Sequence, residues 1–182
     1  MSRVGKKPIE VPEGVKVALE DKQLVFSGKN GELKVPILKG VGVKIEGGKV
    51  IFSREEDTNQ AEANWGTMRS LANNALLGSE KDFLKELKIE GIGFRATVEG
   101  SVIVLNVGFS HPVKLALPSG IKVSVEKNII KISGPDKFLV GETAANIRRV
   151  KKPEPYLGKG IMYLNEKIRR KAGKKAASST AS

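Results

Sequence analysis

The chain has 182 residues, no cysteine and one histidine, and its 32 lysines and arginines outnumber its 20 aspartates and glutamates. Without cysteine there are no disulfides, thiolate metal sites or cysteine nucleophiles, and a net charge of +12 favours a polyanionic partner. The N-terminus lacks the apolar core of a signal peptide and no run reaches the roughly 18 apolar residues of a membrane span, so we expect a cytoplasmic protein.

The positive charge is concentrated at the two ends of the chain. Residues 1–7 carry three basic side chains, and residues 148–182 carry eleven basic side chains against two glutamates. Residues 8–147 balance 18 basic against 18 acidic side chains. This distribution predicts a phosphate-binding segment at the C-terminal end; a solvated basic tail is the alternative.

The first predicted elements are short strands followed by one helix. Apolar residues alternate with polar ones at 15–19, 23–26, 33–35, 43–45 and 49–52, which is typical of β-hairpins. Asp57 or Thr58 can cap a helix after them. An apolar stripe along that helix, including a tryptophan that we interpret as core, consists of Ala61, Trp65, Met68, Ala72 and Ala75.

The same pattern returns further along the chain. Residues 78–90 are interpreted as a connection that includes a plausible strand at 87–90. Strands are predicted at 94–98, 102–107, 121–125 and 129–132. A second helix begins after Pro135 and Asp136, buries Val140, Ala144 and Ile147, and ends at residues 151–153. A last strand is predicted at 161–164.

Sliding the sequence against itself by 80 residues aligns these two sets of elements. Identical residues then coincide in pairs such as Gly28 with Gly108 and Ser53 with Ser133. We therefore predict an α+β fold of two tandem copies of a small domain, each a mainly antiparallel sheet of short strands packed by one helix. The expected domains are 1–82 and 83–175, with a flexible tail at 176–182.

No catalytic, cofactor or metal site is expected. Residues 91–96 fit a loose dinucleotide-binding fingerprint, but the residues that follow alternate like a strand where the fingerprint needs a helix, so a glycine corner is the ordinary interpretation. His111 beside Ser110 has no orienting partner. The carboxylates of residues 55–57 precede a helix and are interpreted as its cap and dipole complement. The chain is therefore not expected to be an enzyme.

Residues 151–161 are the most informative stretch for binding. Two prolines stiffen the backbone, Tyr156 offers a ring, and Gly158 and Gly160 leave room for a sugar–phosphate backbone beside Lys159. A dense run of basic residues follows. The predicted RNA-binding residues are Arg3, Lys6, Lys7, Arg148, Arg149, Lys151, Lys152, Tyr156, Gly158, Lys159, Gly160, Lys167, Arg169, Arg170, Lys171, Lys174 and Lys175.

Residues 153–161 resemble the signature of the bacterial-type ribosomal protein L6 family. Residues 2–9, 65–70, 89–96 and 108–112 are similar to the same family, so the resemblance covers residues 1 to about 175. One departure is Leu157, where the family usually carries lysine, and this position is therefore not counted as a phosphate contact.

The resemblance implies a structural protein that binds large-subunit ribosomal RNA mainly through its second domain, near the sarcin–ricin loop and the translation-factor site. Neighbouring large-subunit proteins would be its other partners, and the protein would be monomeric within the cytoplasmic ribosome, with no membrane or small-molecule substrate. Two alternatives stay open: a nucleic-acid enzyme, for which no paired carboxylates or histidine cluster are found, and a sequence-indifferent nucleic-acid architectural protein.

Overall fold

A computed structural model describes residues 3–173. This part of the chain forms two helices, α1 (Asn59–Glu80) and α2 (Lys137–Val150), and strands that pair in four small sheets. The strands are β1 (Ile9–Glu10), β2 (Lys16–Glu20), β3 (Gln23–Gly28), β4 (Gly31–Pro36), β5 (Val41–Glu46), β6 (Lys49–Arg54), β7 (Phe83–Glu90), β8 (Arg95–Glu99), β9 (Val102–Asn106), β10 (Val113–Ala116), β11 (Lys122–Glu126), β12 (Ile129–Gly134) and β13 (Gly160–Tyr163). No helix among the described residues is long and apolar enough to cross a membrane.

The chain divides into two compact units. Of the described residues, the first unit comprises 3–83 together with Ser133–Val140, and the second comprises Leu84–Ile132 together with 141–173. The domain boundary at residues 82 and 83 stays a prediction, because the first turn of α2 groups with the first unit.

The first unit is built from two three-stranded sheets, β2-β3-β4 and β1-β6-β5, and from α1. The α1 helix contacts β3, β4, β5 and β6. Thr58 is its N-cap, and the Thr58 hydroxyl accepts a hydrogen bond from the Ala61 amide at 3.1 Å. The predicted apolar stripe is buried along its whole length. Trp65 is core as predicted, and its indole N–H donates to the Phe52 carbonyl at 2.9 Å.

The second unit repeats this arrangement strand for strand. Its sheet β8-β9-β10 corresponds to β2-β3-β4, and its sheet β11-β12-β7 corresponds to β5-β6-β1. The antiparallel hairpin β8–β9 has the same position in its copy as β2–β3, 79 residues earlier. The predicted α+β fold of two tandem copies is therefore confirmed. One strand, β13, has no counterpart among the described residues of the first copy, and it pairs with β7.

The interpretation of residues 78–90 as a connection is wrong. Residues 78–80 complete α1, and β7 begins at Phe83 and lies between β12 and β13 in the four-stranded sheet. Leu87 and Ile89 are buried, in alternation with charged residues. The segment is thus an interior strand. Lys85 interrupts the apolar alternation, so the sequence pattern indicates only residues 87–90, whereas the strand extends back to Phe83.

Because each copy has its own sheets and helix, residues 1–82 and 83–175 are each expected to fold as separate fragments. Amide hydrogen exchange should show protection in β3 of the first fragment and in β9 of the second. The first turn of α2 should exchange quickly in the second fragment, since it groups with the first unit in the whole protein. Random-coil exchange throughout either fragment would contradict the predicted division.

Candidate nucleic-acid interface

The segment between α2 and β13 forms a closed loop. The Ile161 amide donates to the Lys151 carbonyl at 2.8 Å, where the loop begins and ends. Inside it, the Glu154 amide donates to the Lys159 carbonyl at 3.0 Å and the Gly158 amide donates to the Glu154 carbonyl at 3.1 Å. We call residues 151–160 the basic loop. Its backbone hydrogen bonds hold a fixed shape without help from a ligand.

Tyr156 and Leu157 are the outermost apolar side chains of the basic loop. They are 56% and 61% exposed. Lys152 is exposed, whereas Lys151 and Lys159 are half-buried. The Lys151 ammonium lies 4.8 Å from the centre of the Phe109 ring, so the 108–112 loop borders the basic loop. Cations and rings therefore share one surface of the second unit.

The structure shows what a side chain would meet at the two glycines of the basic loop, Gly158 and Gly160. A Cβ on Gly160 would lie 2.6 Å from Pro153 Cα and 2.8 Å from the Lys152 carbonyl carbon, and its φ is +148°. A Cβ on Gly158, whose φ is +77°, would lie 3.1 Å from Arg170 Nη2. The chain's own backbone therefore accounts for a glycine at 160, and the tip of the Arg170 side chain lies beside Gly158. RNA contact by these two glycines stays a prediction.

The residues after β13 return to the basic loop. The Lys171 amide donates to the Pro155 carbonyl at 2.8 Å. The side chains of Lys167, Arg169, Arg170 and Lys171 are exposed, and within residues 3–173 no carboxylate forms an ion pair with any of them. We call residues 164–173 the basic segment. The predicted contacts Lys174 and Lys175 lie outside the described residues.

Arg148 and Arg149 already have partners within the protein. The Arg148 guanidinium donates two hydrogen bonds to the Glu166 carboxylate, from Nε at 3.0 Å and from Nη2 at 2.5 Å. Arg149 is exposed, and its Nη1 donates to Asn146 at 3.1 Å. RNA contact by these two arginines stays a prediction; the geometry shows that Arg148 first of all joins α2 to the basic segment.

The basic N-terminal residues lie in the first unit. Arg3, Lys6 and Lys7 are exposed, while Gly5 between them is buried against the Trp65 ring. The Lys7 carbonyl accepts a hydrogen bond from Arg69 Nε at 3.3 Å. The N-terminal cations are thus carried on an anchored backbone.

The other candidate sites in the sequence form no reactive cluster. After Gly91 and Gly93 the chain enters strand β8 at Arg95, so the fingerprint lacks the helix that it needs and the glycines form a corner. His111 is exposed in a loop. Asp57 pairs with Arg54. Among the described residues no group of three or more histidine, aspartate or glutamate side chains could hold a metal ion.

Glu166 is the residue that sequence reasoning missed. The hydrogen bonds from Arg148 lower the pKa of its carboxyl below the usual 4.5, against the opposing effect of partial burial. The same hydrogen bonds raise the pKa of Arg148. The one sequence signal for a role of Glu166 is that it is an acidic residue among basic ones. No local pattern links it to Arg148, which lies 18 positions earlier.

We expect this ion pair to make stability depend on pH. Because the folded-state pKa of Glu166 is depressed, its contribution is complete above the unfolded-state value near 4.5 and is lost as the pH falls through the lower folded-state pKa. The melting temperature of the parent should exceed that of Glu166→Gln at about pH 6, and the gap should close towards about pH 3. A gap of the same size at both pH values would contradict the assignment.

Comparison with known proteins agrees with this architecture. The ribosomal protein L6 family model matches the chain twice, over residues 11–78 and 90–164, one match in each copy of the fold. The large ribosomal subunit protein uL6 of Campylobacter fetus is 47% identical over 174 residues, which cover 96% of this chain and 98% of that protein. The protein of the same name from Nitratiruptor sp. is 48% identical over 176 residues, or 97% and 99% of the two chains. The corresponding protein of Nitratidesulfovibrio vulgaris is 47% identical over 174 residues, or 96% and 97%.

These matches confirm the resemblance that the sequence motifs indicated. Each of the two matched stretches covers most of one copy of the duplicated fold, and the relatives align over almost their full length. The chain belongs to the ribosomal protein L6 family.

Proposed function

We propose that this protein is a non-catalytic structural component of the large ribosomal subunit that binds large-subunit rRNA mainly through its second domain. The three relatives described above carry large-subunit names, which supports the assignment to that subunit. As a member of this family the chain is a ribosomal protein, and the expected cytoplasmic location is confirmed.

The observation that carries the proposal is a dense group of unpaired cations on a fixed backbone. Residues 8–147 contain as many acidic as basic side chains, and four of their cations, Lys49, Arg54, Lys88 and Lys131, pair with a carboxylate. In the basic segment, Lys167, Arg169, Arg170 and Lys171 are exposed and have no carboxylate partner within residues 3–173. Exposed cations that the protein itself leaves uncompensated are suited to rRNA phosphates.

Each part of this surface has its own role in the proposal. Lysines and arginines of the basic segment and of the basic loop contact phosphates, and the exposed Tyr156 ring contacts a sugar or base. Arg3, Lys6 and Lys7 provide a second, smaller set of phosphate contacts from the first unit. Because folded RNA is recognised largely by shape and by its backbone, no base-specific pocket is needed.

The place of binding is also part of the proposal. We infer from the family resemblance that the second domain lies near the sarcin–ricin loop and the translation-factor site, with neighbouring large-subunit proteins around a single copy of this chain. Chemical footprinting of large-subunit rRNA with the purified protein tests this directly. Protections should cluster at the sarcin–ricin loop, and protections elsewhere alone would refute the location.

The mode of binding predicts a steep dependence on salt. If about five to eight phosphates are neutralised, the logarithm of affinity should fall linearly with the logarithm of salt concentration, with a slope of about 0.7–0.9 per phosphate. Filter binding to deproteinised large-subunit rRNA measures the slope. A flat dependence would reject electrostatic anchoring, and equal affinity for a DNA duplex would favour a sequence-indifferent architectural protein instead.

A further inference from the structure

We propose that Arg148 and Glu166 are positioning residues: their ion pair fixes the basic segment against the basic loop before RNA arrives. The inference rests on the proposed function, since it concerns how the same surface is prepared for binding. It assigns to the pair a geometric role, in which neither side chain needs to touch RNA.

The pair has the geometry of a specific contact. The two hydrogen bonds of 3.0 and 2.5 Å make it bidentate, and the side chains of Arg148 and Glu166 are 26% and 24% exposed. The Glu166 carboxylate also accepts from the Tyr163 amide at 3.1 Å, and the Glu166 amide donates to the Tyr163 carbonyl at 2.9 Å. The Arg148 guanidinium lies 5.7 Å from the centre of the Tyr163 ring. The end of α2 is therefore fixed to the turn that follows β13.

A second attachment lies a few residues further on. The Lys171 amide donates to the Pro155 carbonyl at 2.8 Å, and the Arg170 guanidinium lies over Gly158. Lys167 and Arg169 come between this attachment and Glu166, so the chain that carries them is held at both ends. Their phosphate-binding groups consequently start from a restricted set of positions, which reduces the entropy lost on binding.

The charge of Glu166 makes this role testable. A carboxylate among phosphate-binding cations weakens long-range attraction to RNA, and in the pair it also neutralises Arg148. If the basic segment acted only through its charge, removing the carboxylate would strengthen RNA binding. If the pair positions the segment, the same change must weaken it.

The experiment compares Glu166→Gln with Glu142→Gln in the full chain. Both substitutions remove one negative charge, and Glu142 is an exposed residue of α2, six positions before Arg148. Affinity for deproteinised large-subunit rRNA is measured at several salt concentrations. We expect Glu142→Gln to bind at least as tightly as the parent and Glu166→Gln to bind about tenfold more weakly. Equal or tighter binding by Glu166→Gln would overturn the proposal.

A second variant and a second readout separate positioning from loss of folding. Arg148→Lys keeps the charge but loses the bidentate geometry, and it should weaken binding about threefold to tenfold. In Glu166→Gln and in Arg148→Lys the Lys171 amide should lose protection from hydrogen exchange, while the Ile161 amide, which closes the basic loop, keeps its protection. Unchanged Lys171 protection in both variants would refute the proposal. Failure of the parent to bind rRNA would refute the proposed function, and the exchange result would still decide whether the pair fixes the segment.

Discussion

Replacing Gly160 by alanine should lower the free energy of unfolding by about 3 kcal/mol or more. The new Cβ would lie 2.6 and 2.7 Å from backbone atoms of Pro153, so the polypeptide itself must move. That movement would separate the Ile161 amide from the Lys151 carbonyl and disturb the pairing of β13 with β7. Urea unfolding measures the loss, and rRNA binding should fall with it.

Gly120 provides the matched control for this substitution. Its φ of +82° also disfavours a side chain, but a Cβ there would have no heavy atom within 4 Å apart from those of Gly120 and its two chain neighbours. Gly120→Ala should therefore cost only the backbone strain, about 1–2 kcal/mol. Equal losses in the two variants would mean that the basic loop absorbs the extra atom and that the approach of Pro153 to Gly160 is not a constraint.

Neutralising Lys167, Arg169 and Lys171 together by glutamine should weaken binding to large-subunit rRNA on the order of 100-fold. These side chains are exposed and have no carboxylate partner within residues 3–173, so they are available to phosphates. Removing three phosphate contacts should also lower the salt slope by about two to three units. Filter binding over a salt series measures both quantities, and circular dichroism checks that the variant is folded.

The control is the glutamine triple variant of Arg3, Lys6 and Lys7. It removes the same formal charge from exposed side chains at the other end of the chain. We expect a loss of affinity of less than about tenfold, because the smaller N-terminal set is a secondary contact. Equal losses in the two triple variants would show that net charge alone, and not the basic segment, determines affinity.

Local patterns in the sequence predicted most of the fold. The three- and four-residue spacing of Ala61, Trp65 and Met68 identified the buried face of α1. Two candidates, Asp57 and Thr58, marked its start, and the structure shows Thr58 as the N-cap. The 80-residue repeat predicted two copies of one fold. Strand β1 was missed because two residues, Ile9 and Glu10, are too few to show alternation. Its existence depends on pairing with β6, which lies about 40 residues away.

The sequence predicted which residues belong to the candidate site, but it did not predict how they contact one another. The excess of lysine and arginine after residue 147 led to the prediction that the C-terminal end contacts a polyanion. The joining of Arg148 to Glu166, and the passage of Pro153 beside Gly160, depend on how distant parts of the chain meet. No repeating spacing of residue types in the sequence signals such contacts between distant positions. For the same reason the sequence did not reveal that parts of the same chain lie beside Gly158 and Gly160.

We expect strand β13 to pair with β7 late in folding. Its residues pair with residues of β7 that lie 70 to 76 positions earlier, whereas the hairpins β8–β9 and β5–β6 join strands that follow one another in the chain. Pairings between distant segments carry a larger loop-closure entropy and tend to form late. The basic loop reaches its final shape only when β13 is in place, because the Ile161 amide closes it. Molecules in which β13 has not yet paired with β7 therefore lack the closed basic loop, so the surface that we propose for rRNA is complete only at the end of folding.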